Sequence, residues 1–247
     1  MKEEILRSAM LLTPEGTLRL KNSNVIVFGL GGVGSYAAEA LVRAGVGRLT
    51  VVDNDTVALS NINRQLIALH STVGEYKTDA FARRALDINP ELELTLRRDF
   101  VLQENINGFE WSSYDYAVDA VDTVQAKLAI AQACAQHGVP LISCMGTGNK
   151  LEPERLQICD ISKTRYCPLA RVMRAELKKR GISSLRVVFS PEEPRKPLPL
   201  CAQFGRRATP GSVSFVPGCA GLLAAGEIVR VLSGLQAPPG PPVIKKS

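Results

Sequence analysis

Gly29-Leu30-Gly31-Gly32-Val33-Gly34 constrains the fold more than any other stretch of the chain. It satisfies G-x-G-x-x-G and follows directly on a short apolar run, Asn24-Val25-Ile26-Val27-Phe28. A helix-forming segment with Ala37, Ala38, Ala40, Leu41 and Val42 comes next, closed by Gly45 and Gly47. Buried strand, glycine turn and helix in that order set backbone amides at a helix N-terminus, where they meet a phosphate. The next apolar run, Leu49-Thr50-Val51-Val52-Asp53, ends in a carboxylate placed to accept ribose hydroxyls. Alone, these two features specify a nucleotide, with NAD as the default.

The rest of the first half keeps the alternation. Strands are predicted over 92–96, 114–118 and 139–143, with helices over 77–89 and 123–137. Strand–helix alternation at this spacing predicts an α/β, Rossmann-like doubly wound, mostly parallel sheet. After residue 148 the pattern changes to strands at 156–159, 185–189 and 213–216, a basic helix at 169–180 and an apolar helix at 218–232. Pro and Arg make 191–210 a long loop, and Pro238-Pro239-Gly240-Pro241-Pro242 marks 236–247 as a disordered tail. The expected organisation is one domain over 1–235, with a nucleotide-binding core at about 22–148 and a C-terminal strand/helix extension at about 149–235.

Composition removes several classes. With 247 residues and 45% hydrophobic content, the chain can bury a core without disulfide or metal staples. No run of 18 apolar residues occurs, because Glu227 and Arg230 interrupt the longest candidate, so no integral membrane segment is expected. Met1-Lys2-Glu3-Glu4 opens no secretory signal, which points to the cytoplasm and reduced thiols, with peripheral membrane association left open. The net charge of +6 is uneven: residues 163–207 hold 12 basic and 3 acidic side chains, whereas 1–162 are net acidic. Such a basic block is either a polyanion footprint or a solvated face.

The NAD reading weakens beyond Asp53. Asp53-Asn54-Asp55 is followed by Ser60-Asn61-Ile62-Asn63-Arg64-Gln65, a loop dense in polar and charged groups. Arg64 offers a planar fork to phosphate oxygens, Lys77 a point charge, and Asn61 and Gln65 neutral hydrogen bonds. No Walker sequence is present. Asp119-Ala120-Val121-Asp122 puts two carboxylates at a strand end, where open α/β sheets bind ligands. Asp122 can hold Mg2+ or cap the following helix. Cys219 stands at the start of the 218–232 helix, where the helix dipole lowers a thiol pKa. The alternative for Cys219, as for Cys144 and Cys167, is a small buried hydrophobe. His70 and His137 read as structural.

Together Gly29 to Ser35, Val52 to Asp55, Ser60 to Gln65, Lys77 and Asp119 to Asp122 resemble the ubiquitin-activating-enzyme-like (ThiF-type adenylyltransferase) superfamily, over about 5–148. The resemblance implies adenylation of a carboxylate by ATP with Mg2+. It implies that Gly29, Gly31, Gly32 and Gly34 line the phosphates and that Asp53 takes the ribose. Asp55, Asn61, Arg64, Gln65 and Lys77 then complete the ATP site, with Asp122 holding the metal. It also implies a homodimer in which Arg7 crosses to the partner's ATP, so that Arg7, Arg64, Lys77 and Asp122 carry catalysis.

Two branches compete. The sulfur-carrier adenylyltransferases usually carry two CxxC pairs, and none of the six cysteines here is so paired. The segments Ile142 to Pro153 and Gly211 to Gly218 resemble the tRNA threonylcarbamoyladenosine dehydratase family, extending the resemblance to about 5–235. That family implies ATP-dependent cyclisation of threonylcarbamoyladenosine in tRNA, with Arg171, Arg174, Lys178, Lys179, Arg180, Arg206 and Arg207 as phosphate contacts. A monovalent cation and a sulfur-transfer protein partner stay open, as do an NAD-dependent oxidoreductase and a non-enzymatic tRNA-binding scaffold.

Overall fold

The computed structural model describes residues 3–198, 200 and 210–244. Arg206 and Arg207 lie outside them. Apolar runs form the sheet interior: every residue of β4 (Tyr116–Asp119) and β5 (Leu141–Cys144) is buried, as are four of five in β1 (Asn24–Phe28) and β2 (Arg48–Val52). Continuous burial of this kind requires helices on both faces. With β3 (Glu93–Arg97), β6 (Gln157–Asp160) and β8 (Arg186–Phe189), these strands form one sheet in the order β3-β2-β1-β4-β5-β8-β6. All neighbours are parallel except the β6–β8 pair. The doubly wound fold expected from the sequence is present, and β6 and β8 extend the same sheet.

One face packs against α2 (Pro14–Asn22), α3 (Gly34–Arg43), α4 (Lys77–Ile88) and α7 (Phe215–Leu232). The other packs against α5 (Val124–His137), α6 (Pro168–Lys179) and an aromatic cluster of Phe28, Phe109 and Trp111. Trp111 also stacks on His137, which ends α5 before the left-handed Gly138 and is thus structural. Strand order runs outward in opposite directions from β1 and β4, so a ligand crevice opens between their carboxyl ends.

Several boundaries differ from the sequence reading. Residues 213–216 are not a strand; α7 begins at Phe215, with Pro217 in its first turn, where a missing N–H costs nothing. Cys219 is therefore a turn inside the helix and does not open it. The 236–247 tail is not wholly disordered: β9 (Val243–Ile244) pairs antiparallel with β7 (Ile182–Ser184). A further helix, α1 (Glu3–Leu12), precedes α2 and has no clear sequence signal. Among the described residues α7 alone has the length and apolarity of a membrane span, but half of it is buried. It lies so close to α3 that a Cβ on Gly221 would stand 2.3 Å from the Val33 carbonyl. Glu227 is buried in it and takes a bidentate ion pair from Arg186 at 2.7 and 2.9 Å.

Candidate active site

The glycine turn is shaped by close approaches. Gly29 has φ +88°, and a Cβ on Gly34 would fall 1.8 Å from the Gly29 carbonyl oxygen. No other residue fits at either position. Helix α3 then starts straight from the turn with no side-chain cap, leaving its first amides for a ligand. Ser35 fastens this turn to the neighbouring loop: its hydroxyl donates to the Gly31 carbonyl (2.7 Å) and accepts the Leu66 amide (3.3 Å).

Asp53 stands beside the turn. Its carboxylate accepts the amides of Leu30 (2.6 Å) and Asp55 (2.9 Å). Burial raises the Asp53 pKa, opposed by Lys77 and by those two amides. Lys77 opens α4 and is 5% exposed, its Nζ 2.7 Å from Asp55 Oδ2 and 3.7 Å from Asp53 Oδ1. A desolvated ammonium held against two carboxylates is well placed to meet an incoming polyphosphate. Asn61 accepts the Ala58 amide through its Oδ1 at 3.0 Å. Arg64, half-buried, donates to the Ser60 carbonyl and to Asn63 Oδ1, both at 3.0 Å. Its remaining donors stay available, and its stem lies over Gly32, with Cγ 3.4 Å from a Cβ placed there. Gln65 is buried, its Nε2 4.0 Å from where a Cβ on Gly31 would stand, and its Oε1 accepts no hydrogen bond within the described residues.

The two carboxylates at the end of β4 have separate jobs. Asp119 is fully buried and ion-paired to the equally buried Lys127, at 3.0 and 3.1 Å. It also accepts from the Ser143 hydroxyl and the Val121 amide, and Lys127 gives its third donor to the Cys144 carbonyl at 2.7 Å. Every polar group of this network is satisfied, so Asp119 is structural. Asp122, three residues on, is exposed and has no partner among the described residues. The capping alternative for Asp122 fails, because Thr123 occupies the N-cap of α5 and no side chain caps it. Among the described residues no cluster of three metal-ligating side chains occurs. A single free carboxylate fits Mg2+ that takes its other ligands from phosphates and water.

Cys144 and Cys134 are poor nucleophiles. Burial pushes the Cys144 thiol up to about 12 and raises Cys134 as well. Cys167 caps α6, its sulfur accepting the Ala170 amide. Cys219 is half-buried and lines an apolar cavity of about 510 Å³ with Leu156, Leu222 and Leu223.

A second loop cluster on the same edge joins the two segments that carry the family resemblance, 142–153 and 211–218, to Ser190 and Glu192, which have no sequence signal. Lys150 is buried, donating to the carbonyls of Ser190 (2.7 Å) and Glu192 (3.0 Å). Glu192 accepts the amides of Leu151 and Glu152, and Asn149, at φ +60°, bonds both ways to Gly211. Asn63 donates to the Ser212 carbonyl at 3.0 Å, tying this cluster to the Arg64 loop. Of the basic candidates, Arg171 and Lys178 are exposed and unpaired among the described residues, whereas Lys179 and Arg180 share Glu176. Arg174 is half-buried and donates Nη1 to the Thr164 carbonyl and hydroxyl, leaving the other donors of its fork without a partner among the described residues. Arg7 lies exposed on α1, away from any partner among the described residues.

Fold and site together are those of a nucleotide-binding carboxyl-end crevice with a desolvated lysine and a free carboxylate, and comparison with known proteins agrees. The chain belongs to the ThiF family, whose sequence model matches residues 5–245. Within that family it is similar to enzymes named tRNA threonylcarbamoyladenosine dehydratase. It is 44% identical over 242 residues to the one from Bacillus subtilis, covering 94% of this chain and 95% of that protein. It is 34% identical to that of Escherichia coli, covering 87% and 83%. The crystal structure of the E. coli enzyme, TcdA, in complex with ATP superposes with a TM-score of 0.87 at 31% identity, covering 94% and 95% of the two chains.

Proposed function

We propose that this protein carries out the ATP-dependent dehydration of threonylcarbamoyladenosine in tRNA, activating the substrate carboxylate by adenylation. The observation that carries the reading is Lys77, desolvated against Asp53 and Asp55 beside the glycine turn, with Asp122 free at the next strand end.

ATP enters with its phosphates over Gly29, Gly31, Gly32 and Gly34 and its ribose on Asp53. Lys77 exchanges part of its contact with Asp55 for phosphate oxygens, and Arg64 brings the unused donors of its fork. Gln65 Oε1, without a partner among the described residues, accepts from a ligand donor. Asp122 would hold Mg2+, which would supply neutralisation of phosphate charge when bound. A carboxylate oxygen of the substrate attacks the α-phosphorus, forming a C–O–P bond and releasing pyrophosphate. An internal nucleophile of the modified nucleoside then attacks the acyl carbon, the C–O bond to AMP breaks, and the ring closes. The net change is loss of one water. The side chains supply position and charge stabilisation, and no protein nucleophile takes part.

Two further parts complete the reading. Arg7 shares α1 with Leu6, Met10 and Leu11, all at least half exposed, a face suited to a second copy that receives Arg7 at its nucleotide. Arg171 and Lys178 contact tRNA phosphates, and Lys179 and Arg180 join them at the cost only of weak surface pairs with Glu176.

Incubation with ATP, Mg2+ and tRNA carrying the modification is expected to release AMP and pyrophosphate and to yield a nucleoside one water lighter by mass spectrometry. Asp122→Ala is expected to lower that rate by about 10²-fold or more. Folded, ATP-binding protein that leaves the nucleoside unchanged would refute the proposal.

A further inference from the structure

The loop between β6 and α6 carries an aromatic side chain that the nucleotide site does not use. Tyr166 is 58% exposed and has φ +58°, a left-handed conformation that non-glycine residues rarely adopt. The loop around it is pinned. Asp160 accepts the Ser162 amide at 2.8 Å, and the Thr164 hydroxyl donates to the Ile161 carbonyl at 2.7 Å. Arg174 donates to the Thr164 carbonyl at 3.0 Å, and Cys167 caps the next helix. The ring is thus held outward by a fixed backbone. Lys163 and Arg165 precede it on the same loop, both exposed and without an ion-pair partner among the described residues.

The position of the loop gives this arrangement meaning. Cys167 Sγ lies 3.7 Å and Leu169 Cβ 3.8 Å from where a Cβ on Gly146 would stand. Gly146 follows β5, whose register with β4 puts it on the same sheet edge as Asp122 and the glycine turn. An outward aromatic on one short loop with two unpaired cations, at the rim of a site, is the chemistry of base stacking with phosphate contacts. Backbone strain of this kind gathers at functional positions.

We propose that Tyr166 is a stacking platform for an unpaired nucleobase of the RNA loop that presents the modified adenosine, with Lys163 and Arg165 on the flanking phosphates. Tyr166 is a positioning residue; it touches RNA and leaves the reacting atoms to the nucleotide site. The inference rests on the tRNA reading above.

The test compares wild type with Y166F, Y166W, Y166A and Y166G, using modified tRNA and ATP. Ala and Gly are expected to raise the Kd for tRNA about tenfold, the scale of one lost base–aromatic stack. Phe and Trp retain binding, and ATP affinity and kcat at saturating tRNA do not move. Gly separates ring from backbone: it relieves the positive φ and raises thermal stability, yet binds RNA as weakly as Ala. Wild-type affinity in Y166A or Y166G would overturn the inference, as would a loss in Y166F equal to that in Y166A. A parallel loss of ATP affinity would mark the role as structural and overturn it too. If wild type binds no tRNA, the functional proposal falls and this inference with it; if wild type binds and Y166A binds equally, this inference alone falls.

Discussion

Lys77→Met lowers kcat/KM for the dehydration by about 10²–10³-fold, the scale on which a preorganised charge-stabilising donor counts in a transition state. Methionine keeps the length and apolar character of the stem, so the buried channel of Lys77 is refilled. What disappears is the ammonium 2.7 Å from Asp55 and 3.7 Å from Asp53. Asp53 and Asp55 are then left facing the incoming phosphates with no cation between them. Burial already raises the Asp53 pKa, and removing Lys77 takes away the largest opposing influence, so its proton affinity rises further. Lys77→Arg does not restore activity, because a planar guanidinium cannot replace a compact point charge in a site 5% exposed. Steady-state kinetics with calorimetric ATP binding checks this. A Lys77→Met variant within about threefold of wild type would remove Lys77 from the charge-stabilising role assigned to it.

Lys127→Met has the largest expected effect on stability, about 3–5 kcal/mol, because it strands the Asp119 carboxylate at zero exposure. For a chain of this size each kcal/mol shifts Tm by ~2–4 °C, so thermal unfolding moves down by roughly 6–20 °C. Adding Asp119→Asn recovers part of the loss. Asparagine can still accept the Val121 amide through Oδ1 and donate from Nδ2 to the Ser143 hydroxyl oxygen, while no buried charge is left uncompensated. Calorimetric scans of the single and double variants read this directly. A Lys127→Met protein with unchanged Tm would show that the pair contributes nothing to the fold.

That network also shows where sequence reading stops. Asp119 and Asp122 look alike in the chain: two carboxylates at the end of an apolar run. Only the sheet separates them, because Asp119 is still within β4, fully buried and ion-paired to Lys127, while Asp122 follows the strand into solvent. Lys127, eight residues on, and Ser143, on another strand, carry no local mark of the pairing. The glycine turn and Asp53 were legible because each sits at a fixed offset from an apolar run that had to be a buried parallel strand, whereas Arg64 and Lys77 stood out by side-chain chemistry and by the family resemblance. The 213–216 segment misled because β-branched Val213 and Val216 favour a strand, whereas Pro217 in a first helical turn and packing against α3 decide the outcome. Val243 and Ile244 are too short to read, and they form β9 only because β7 offers an edge. The basic block was visible as composition, but the separation of an ion-paired cation (Arg186) from unpaired ones (Arg171, Lys178) depends on tertiary partners.

The central claim is that a substrate carboxylate is adenylated, and an oxygen label tests it most directly. With ¹⁸O in both carboxylate oxygens of the threonyl group, one labelled oxygen becomes the bridge to the α-phosphorus and leaves with AMP when the ring closes. Mass spectrometry of the products is expected to find one ¹⁸O in AMP, none in pyrophosphate and one retained in the cyclised nucleoside. Unlabelled AMP accompanying the dehydrated nucleoside would contradict carboxylate adenylation.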